Sequence, residues 1–230
     1  FNTHGQVGYI NTPSAFTMSE SSISLNLYKG VPDKKLIATG SPFNWLDASI
    51  FYSSISGKPY PGYDQSYKDK GFNFKVNLKE MDSFPAISIG ANDIGGTGFY
   101  SSEYVVLSEK TRKFEYSLGL GWGRYNDGLT FKNPLIKISE NFRSRGEGSN
   151  QGGSFEPERY FSGEKVALFG AVSYGLTKNS KLTLEYDPSQ ILDSTQSILP
   201  ETNFNISFDY YFKNFYLRST YERGAYATFQ

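Results

Sequence analysis

Asp93 and Glu103 flank a glycine-rich turn, Gly95-Gly96-Thr97-Gly98, and are the carboxylate pair best placed for acid–base chemistry. Glycoside hydrolysis uses two such groups held roughly 5–10 Å apart. The competing reading has Asp93 capping the turn and Glu103 paired with a lumen Lys or Arg, and the residues favour it. The single histidine, His4, lies in the N-terminal stretch, away from every strand the pattern places. A Ser–His hydrolase needs its base within hydrogen-bond reach of the serine, so His4 reads as an exposed tail residue. The chain has no cysteine, which removes disulfides, zinc–thiolate sites and thiol nucleophiles. The glycine run resembles a phosphate loop only superficially, because it joins two strands and opens no helix. Asn92-Asp93 with neighbouring carbonyls lacks the spacing of a calcium loop. No enzyme activity, cofactor or metal is expected.

A second set of polar residues is more informative because it alternates with apolar ones. Phe72, Phe74, Val76 and Leu78 point one way; Asn73, Lys75, Asn77 and Lys79 point the other. Phe114, Tyr116, Leu118, Leu120 and Trp122 likewise oppose Glu115, Ser117, Gly119 and Gly121. A period of two marks a strand with one apolar and one polar face. Across the chain the polar faces collect Asn73, Lys75, Asn77, Glu115, Ser117, Thr183, Glu185, Asn205, Ser207, Asp209, Tyr211, Tyr216 and Arg218. If the strands close into a barrel, these residues line its lumen. Amides, hydroxyls, paired charges and tyrosines suit a hydrated glycan. The structural alternatives are a lumen closed by its own salt bridges, or one plugged by residues 1–21 or 126–163.

The strands expected to carry these faces run over 22–29, 34–39, 45–55, 69–79, 85–91, 100–109, 113–125, 164–175, 181–186, 203–212 and 215–222. Residues 225–230 read as a twelfth strand cut short. Residues 1–21 read as a periplasmic lead-in and 22–230 as the barrel, with a long loop at 126–163. From the second strand on, connections alternate short and long, with the long ones at 56–67, 92–99, 126–163 and 188–202. Short turns on one rim and longer loops on the other are the pattern of an antiparallel up-and-down transmembrane β-barrel. A Greek-key sandwich has no reason to alternate in this way.

Composition agrees. Aromatics make up 17% of the 230 residues and there are 23 glycines, yet the mean hydropathy is −0.47. A barrel whose every strand has a polar face accounts for both. No run approaches the roughly 18 apolar residues of a membrane helix. In hydrocarbon the sheet must close on itself to pair its backbone, and about 12 strands are expected. Trp45, Tyr52, Phe99, Tyr100, Tyr104, Trp122, Tyr125, Tyr174, Tyr210, Phe212, Phe215 and Tyr221 lie near strand ends, where they would form interfacial girdles. Lys+Arg and Asp+Glu are both 23, which removes the strongly basic face of a nucleic-acid binder.

Several stretches in order carry a resemblance: Val7-Gly8-Tyr9-Ile10-Asn11-Thr12-Pro13, Asp69-Lys70-Gly71-Phe72, Pro85-Ala86-Ile87-Ser88-Ile89-Gly90 and Asp93-Ile94-Gly95-Gly96. Ser101-Ser102-Glu103-Tyr104, Leu118-Gly119-Leu120-Gly121-Trp122-Gly123, Lys132-Asn133-Pro134-Leu135 and Leu168-Phe169-Gly170 complete it. The chain resembles the YjbH-type family. That resemblance implies an outer-membrane β-barrel, often a lipoprotein, linked to exopolysaccharide and capsule export. It implies a polysaccharide chain, outer-membrane lipids and periplasmic proteins of the same pathway as partners. The resemblance implies members that are longer and carry a second barrel region, so this chain is expected to be a fragment, or the N-terminal barrel alone. The expected role is passage or anchoring of polysaccharide. The rivals are a soluble carbohydrate-binding β-sandwich, a glycan-active outer-membrane enzyme, and a structural barrel that only docks partners.

Overall fold

A computed structural model describes residues 1–31, 33–59, 62–82, 84–146, 155–190 and 200–230. Parts of the expected loops at 56–67, 126–163 and 188–202 lie outside these residues. The strands are β1 (Ser22–Lys29), β2 (Asp33–Phe43), β3 (Leu46–Pro59), β4 (Ser66–Lys79), β5 (Ala86–Ile94), β6 (Ser102–Lys110) and β7 (Phe114–Gly123). They continue as β8 (Thr130–Lys132), β9 (Lys165–Gly175), β10 (Ser180–Tyr186), β11 (Phe204–Tyr211), β12 (Tyr216–Glu222) and β13 (Tyr226–Phe229). Each pairs antiparallel with its sequence neighbour, except that β9 takes the place after β7. β13 pairs with β12 and meets β1 at Lys29–Phe229, which closes a twelve-stranded barrel. A closed sheet has no unpaired edge, and the sandwich rival is excluded. The short β8 adds to β9 beyond the point where β10 ends.

The barrel is apolar outside and polar inside. Ile23, Leu25 and Leu27 are 82, 74 and 71% exposed, whereas Asn73, Lys75, Glu185 and Asp209 are fully buried. At one rim the turns are tight, as at Asn44-Trp45 between β2 and β3 and 111–113 between β6 and β7. At that rim Phe43 stacks on Trp45 at 5.2 Å, Phe212 on Phe215 at 4.3 Å, and Phe114 packs on Tyr174 at 4.9 Å.

Five of the expected girdle aromatics sit elsewhere; one of them, Phe99, packs half-buried against the inner cluster of Ile37, Phe51, Ile55 and Tyr100. Tyr100, Tyr104 and Tyr125 are buried inside the barrel. Tyr104 fits because Gly90 lies opposite it, where a Cβ would come within 2.3 Å of its ring. Trp122 does lie on the outer side of β7, but the long connection covers it. Asn133 accepts from its indole N–H at 3.1 Å and Phe161 packs edge-on to it at 5.1 Å. The second strand, expected over 34–39, is also corrected: β2 runs on through Gly40-Ser41-Pro42 to Phe43, with the register shifting between Gly40 and Phe43. A bulge absorbs the proline without ending the strand.

Candidate functional site

The residues singled out for the lumen all face inward, because strand parity fixes the side. What they meet is the chain's own N-terminal segment. Residues 1–16 enter from the short-turn rim and fold inside the barrel, so the expected periplasmic lead-in is an internal plug. Its own backbone bonds include Thr3 N–H to Ile10 O (2.9 Å) and Tyr9 N–H to Thr12 O (2.9 Å). Asn2 Oδ1 accepts from the amides of His4 and Gln6, both at 3.0 Å.

Glu185 on β10 is the main anchor. Its Oε1 accepts the amides of Ile10, Asn11 and Thr12 at 3.0, 2.9 and 2.8 Å and the Thr12 hydroxyl at 2.7 Å. Asn205 donates to Oε2 at 2.8 Å from β11. Three successive amides aimed at one carboxylate oxygen form a strong, charge-assisted set. Opposite, on β4, Asn73 donates to His4 O at 2.9 Å and Asn77 to Ala15 O at 2.8 Å. Lys75 donates to the carbonyls of Val7 (3.0 Å) and Phe16, and its ammonium lies 3.2 Å from Asp47.

On β12, Arg218 grips Asp209 with two parallel bonds of 2.8 Å and donates to the carbonyls of Phe1 (2.6 Å) and Tyr9. Tyr216 stacks on Phe1 at 6.3 Å, and Tyr211 donates to Asp209 at 3.2 Å. Glu115 stands between Lys110 (2.6 Å) and Lys181 (3.4 Å), both on the wall.

The expectation of His4 as an exposed tail residue is overturned. It is buried edge-on to Tyr100 at 6.3 Å. Burial, reinforced by nearby Lys35 and Arg124, holds its pKa well below the usual histidine value, so it is neutral at neutral pH.

The two rim carboxylates have structural partners. Glu103 lies on the outer side of β6, bound by Arg145 at 2.6 and 2.7 Å and by the Phe161 amide at 2.9 Å. Asp93 sits at a β5 irregularity with φ 58° and accepts the Tyr100 amide at 2.8 Å, closing the glycine-rich turn. Among the described residues no group of three His, Asp or Glu side chains is placed to hold a metal ion.

Sequence reasoning missed several buried charged groups, Asp47, Asp187 and Glu222 among them. Asp47 faces Lys75, Asp187 binds Arg223 at 2.8 Å, and Glu222 accepts Asn11 at 2.8 Å and Thr228 at 2.6 Å. The polar side of the 45–55 alternation carried the signal for Asp47. Nothing local marks Asp187, which lies beyond the end of its strand.

The YjbH family model, described as "Exopolysaccharide biosynthesis protein YbjH", matches residues 1–230. This chain belongs to the YjbH family. It is 32% identical over 229 residues to "Uncharacterized lipoprotein YjbH" of Escherichia coli (strain K12), covering 96% of the chain. The chain spans about a third of the length of that curated relative (33%). No solved structure matches.

Proposed function

We propose that this protein is an outer-membrane platform of exopolysaccharide biosynthesis and export: a lipid-embedded barrel that anchors pathway components, its lumen held shut by residues 1–16. The observation that carries the platform reading is the plug, because the groups that would greet a passing glycan are bonded to the chain itself. Passage of polymer through this barrel requires the plug to leave. The exposed apolar belt supports insertion, since a wall of Ile, Leu and Phe around a polar lumen is favourable in hydrocarbon and unfavourable in water. Short turns then face the periplasm and the long connections face outward. Family membership supports the pathway. No chemical step is assigned to the barrel: Asp93 and Glu103 hold structure together.

Fractionation of a Gram-negative host tests this reading, combined with gels of boiled and unboiled sample. The expected result is outer-membrane location with a heat-sensitive mobility shift, and reduced exopolysaccharide when the protein is deleted. A protein recovered in the soluble fraction without detergent would overturn the platform reading.

A further inference from the structure

At the short-turn rim the lumen widens into a cavity of about 450 Å³. Lys110, Arg112, Lys113, Lys178 and Lys181 line it, against one carboxylate, Glu115. Five cations against one anion make a formal +4 at this mouth, in a chain whose charges as a whole balance at 23 and 23. Glu115 is shared between Lys110 and Lys181. Among the described residues, Arg112, Lys113 and Lys178 have no carboxylate within ion-pair distance. A concave wall carrying one sign of charge concentrates counter-ions.

The geometry points to this mouth as a binding site for an acidic polysaccharide, one whose sugars carry carboxylates. The inference rests on the exopolysaccharide reading of the barrel and gives it a substrate class. Size fits, because 450 Å³ lies within the range of small-molecule sites. The lining adds what a sugar needs besides charge: the half-buried ring of Tyr211 and the hydroxyls of Thr177 and Ser180. Parity argues against lipid headgroups. Glu115, Lys181 and Tyr211 lie on the lumen side of their strands, while Tyr116, Leu182 and Tyr210 of the same strands face outward. The wall separates a lipid on the outer surface from Glu115, Lys181 and Tyr211, whereas Arg112, Lys113 and Lys178 stand on the rim turns, with Lys113 5.9 Å from the Tyr174 ring.

The test uses the full-length protein in detergent and measures binding of a labelled oligogalacturonate and of a neutral dextran oligomer of equal length. The variants are the triple substitution Arg112→Gln, Lys113→Gln, Lys178→Gln and, as a control, Lys213→Gln in a neighbouring turn outside the lining. Heat-shifted mobility of each variant confirms a closed barrel before binding is scored. Expected is binding of the uronate oligomer alone, weakened about tenfold or more in the triple variant and unchanged in the control. Binding should also fall at about 0.3 M salt, where screening acts within roughly 6 Å. Equal binding by the triple variant, no uronate binding by the native protein, or tighter binding of polyglutamate than of uronate would each overturn the inference. Native protein that fractionates with the outer membrane yet ignores uronate loses this site and keeps the platform reading. Protein that binds uronate from the soluble fraction loses the platform and keeps the site.

Discussion

Thr12 donates both its backbone N–H and its hydroxyl to one oxygen of Glu185, at 2.8 and 2.7 Å. Ile10 and Asn11 give their amides to the same oxygen. The acceptor is on the wall and every donor is on the plug, so this carboxylate ties the two together. Glu185→Ala leaves those donors buried and unpaired. It should loosen the plug at a cost of about 2–4 kcal/mol, the range of lost charged hydrogen bonds and abandoned buried partners. Thermal or urea unfolding of the barrel in micelles reads the loss. A change below about 0.5 kcal/mol would mean that the plug is held elsewhere.

Lys75 and Asp47 are both fully buried, 3.2 Å apart. Removing one partner strands the other charge, so Lys75→Ala or Asp47→Ala alone should cost about 3–5 kcal/mol. The double variant Lys75→Met, Asp47→Leu should recover a large part of that loss. A double-mutant cycle on unfolding midpoints checks this, and additive single effects would deny the coupling.

The Arg145–Glu103 pair predicts a local effect. Glu103→Gln weakens both guanidinium bonds and leaves the strand ladder intact. Limited proteolysis should then cleave within residues 126–163 several-fold faster while the heat-shifted mobility is kept. An unchanged cleavage rate would show that the Trp122–Asn133 and Trp122–Phe161 contacts hold the connection without it.

His4 gives the plug a pH dependence with a defined sign. In the folded protein its pKa is depressed by burial and by Lys35 and Arg124. In the unfolded chain it takes a proton near pH 6.5. The folded state therefore binds fewer protons, and its stability is full above about pH 6.5 and falls as the pH drops towards the depressed value. Histidine to glutamine at this position should flatten that slope between about pH 6.5 and 5. Unfolding midpoints measured across that window check it, and identical slopes in both proteins would contradict the assignment.

The period-two pattern located the strands closely, and β1 spans Ser22–Lys29 as the alternation of Ile23, Leu25 and Leu27 dictates. It also placed Asn73, Lys75, Glu185 and Arg218 on the inner wall, since parity within a strand is local information. Residues 1–21 and 126–163 both stood as possible plugs, and which of them fills the lumen, and through which contacts, was not legible. Asn11 and Thr12 meet Glu185 across a sequence separation of more than 170 residues, and no local pattern encodes such a contact. Aromatic type misled for a related reason: Tyr104 shares parity with inward Ser102 and Ser108, and parity outweighs its nearness to the strand end. The second strand runs beyond its expected end at residue 39 because a bulge carries it past Gly40-Ser41-Pro42, residues that usually stop a strand.

The central claim is a membrane barrel closed by its own N-terminal residues. Single-channel recording in a planar lipid bilayer tests it most directly, comparing the native protein with Glu185→Ala and Arg218→Ala after heat-shifted mobility confirms that all three are folded. The account predicts a silent native barrel and frequent openings in both variants as the plug comes loose. A steady open conductance from the native protein, or variants as silent as the native one, would contradict it.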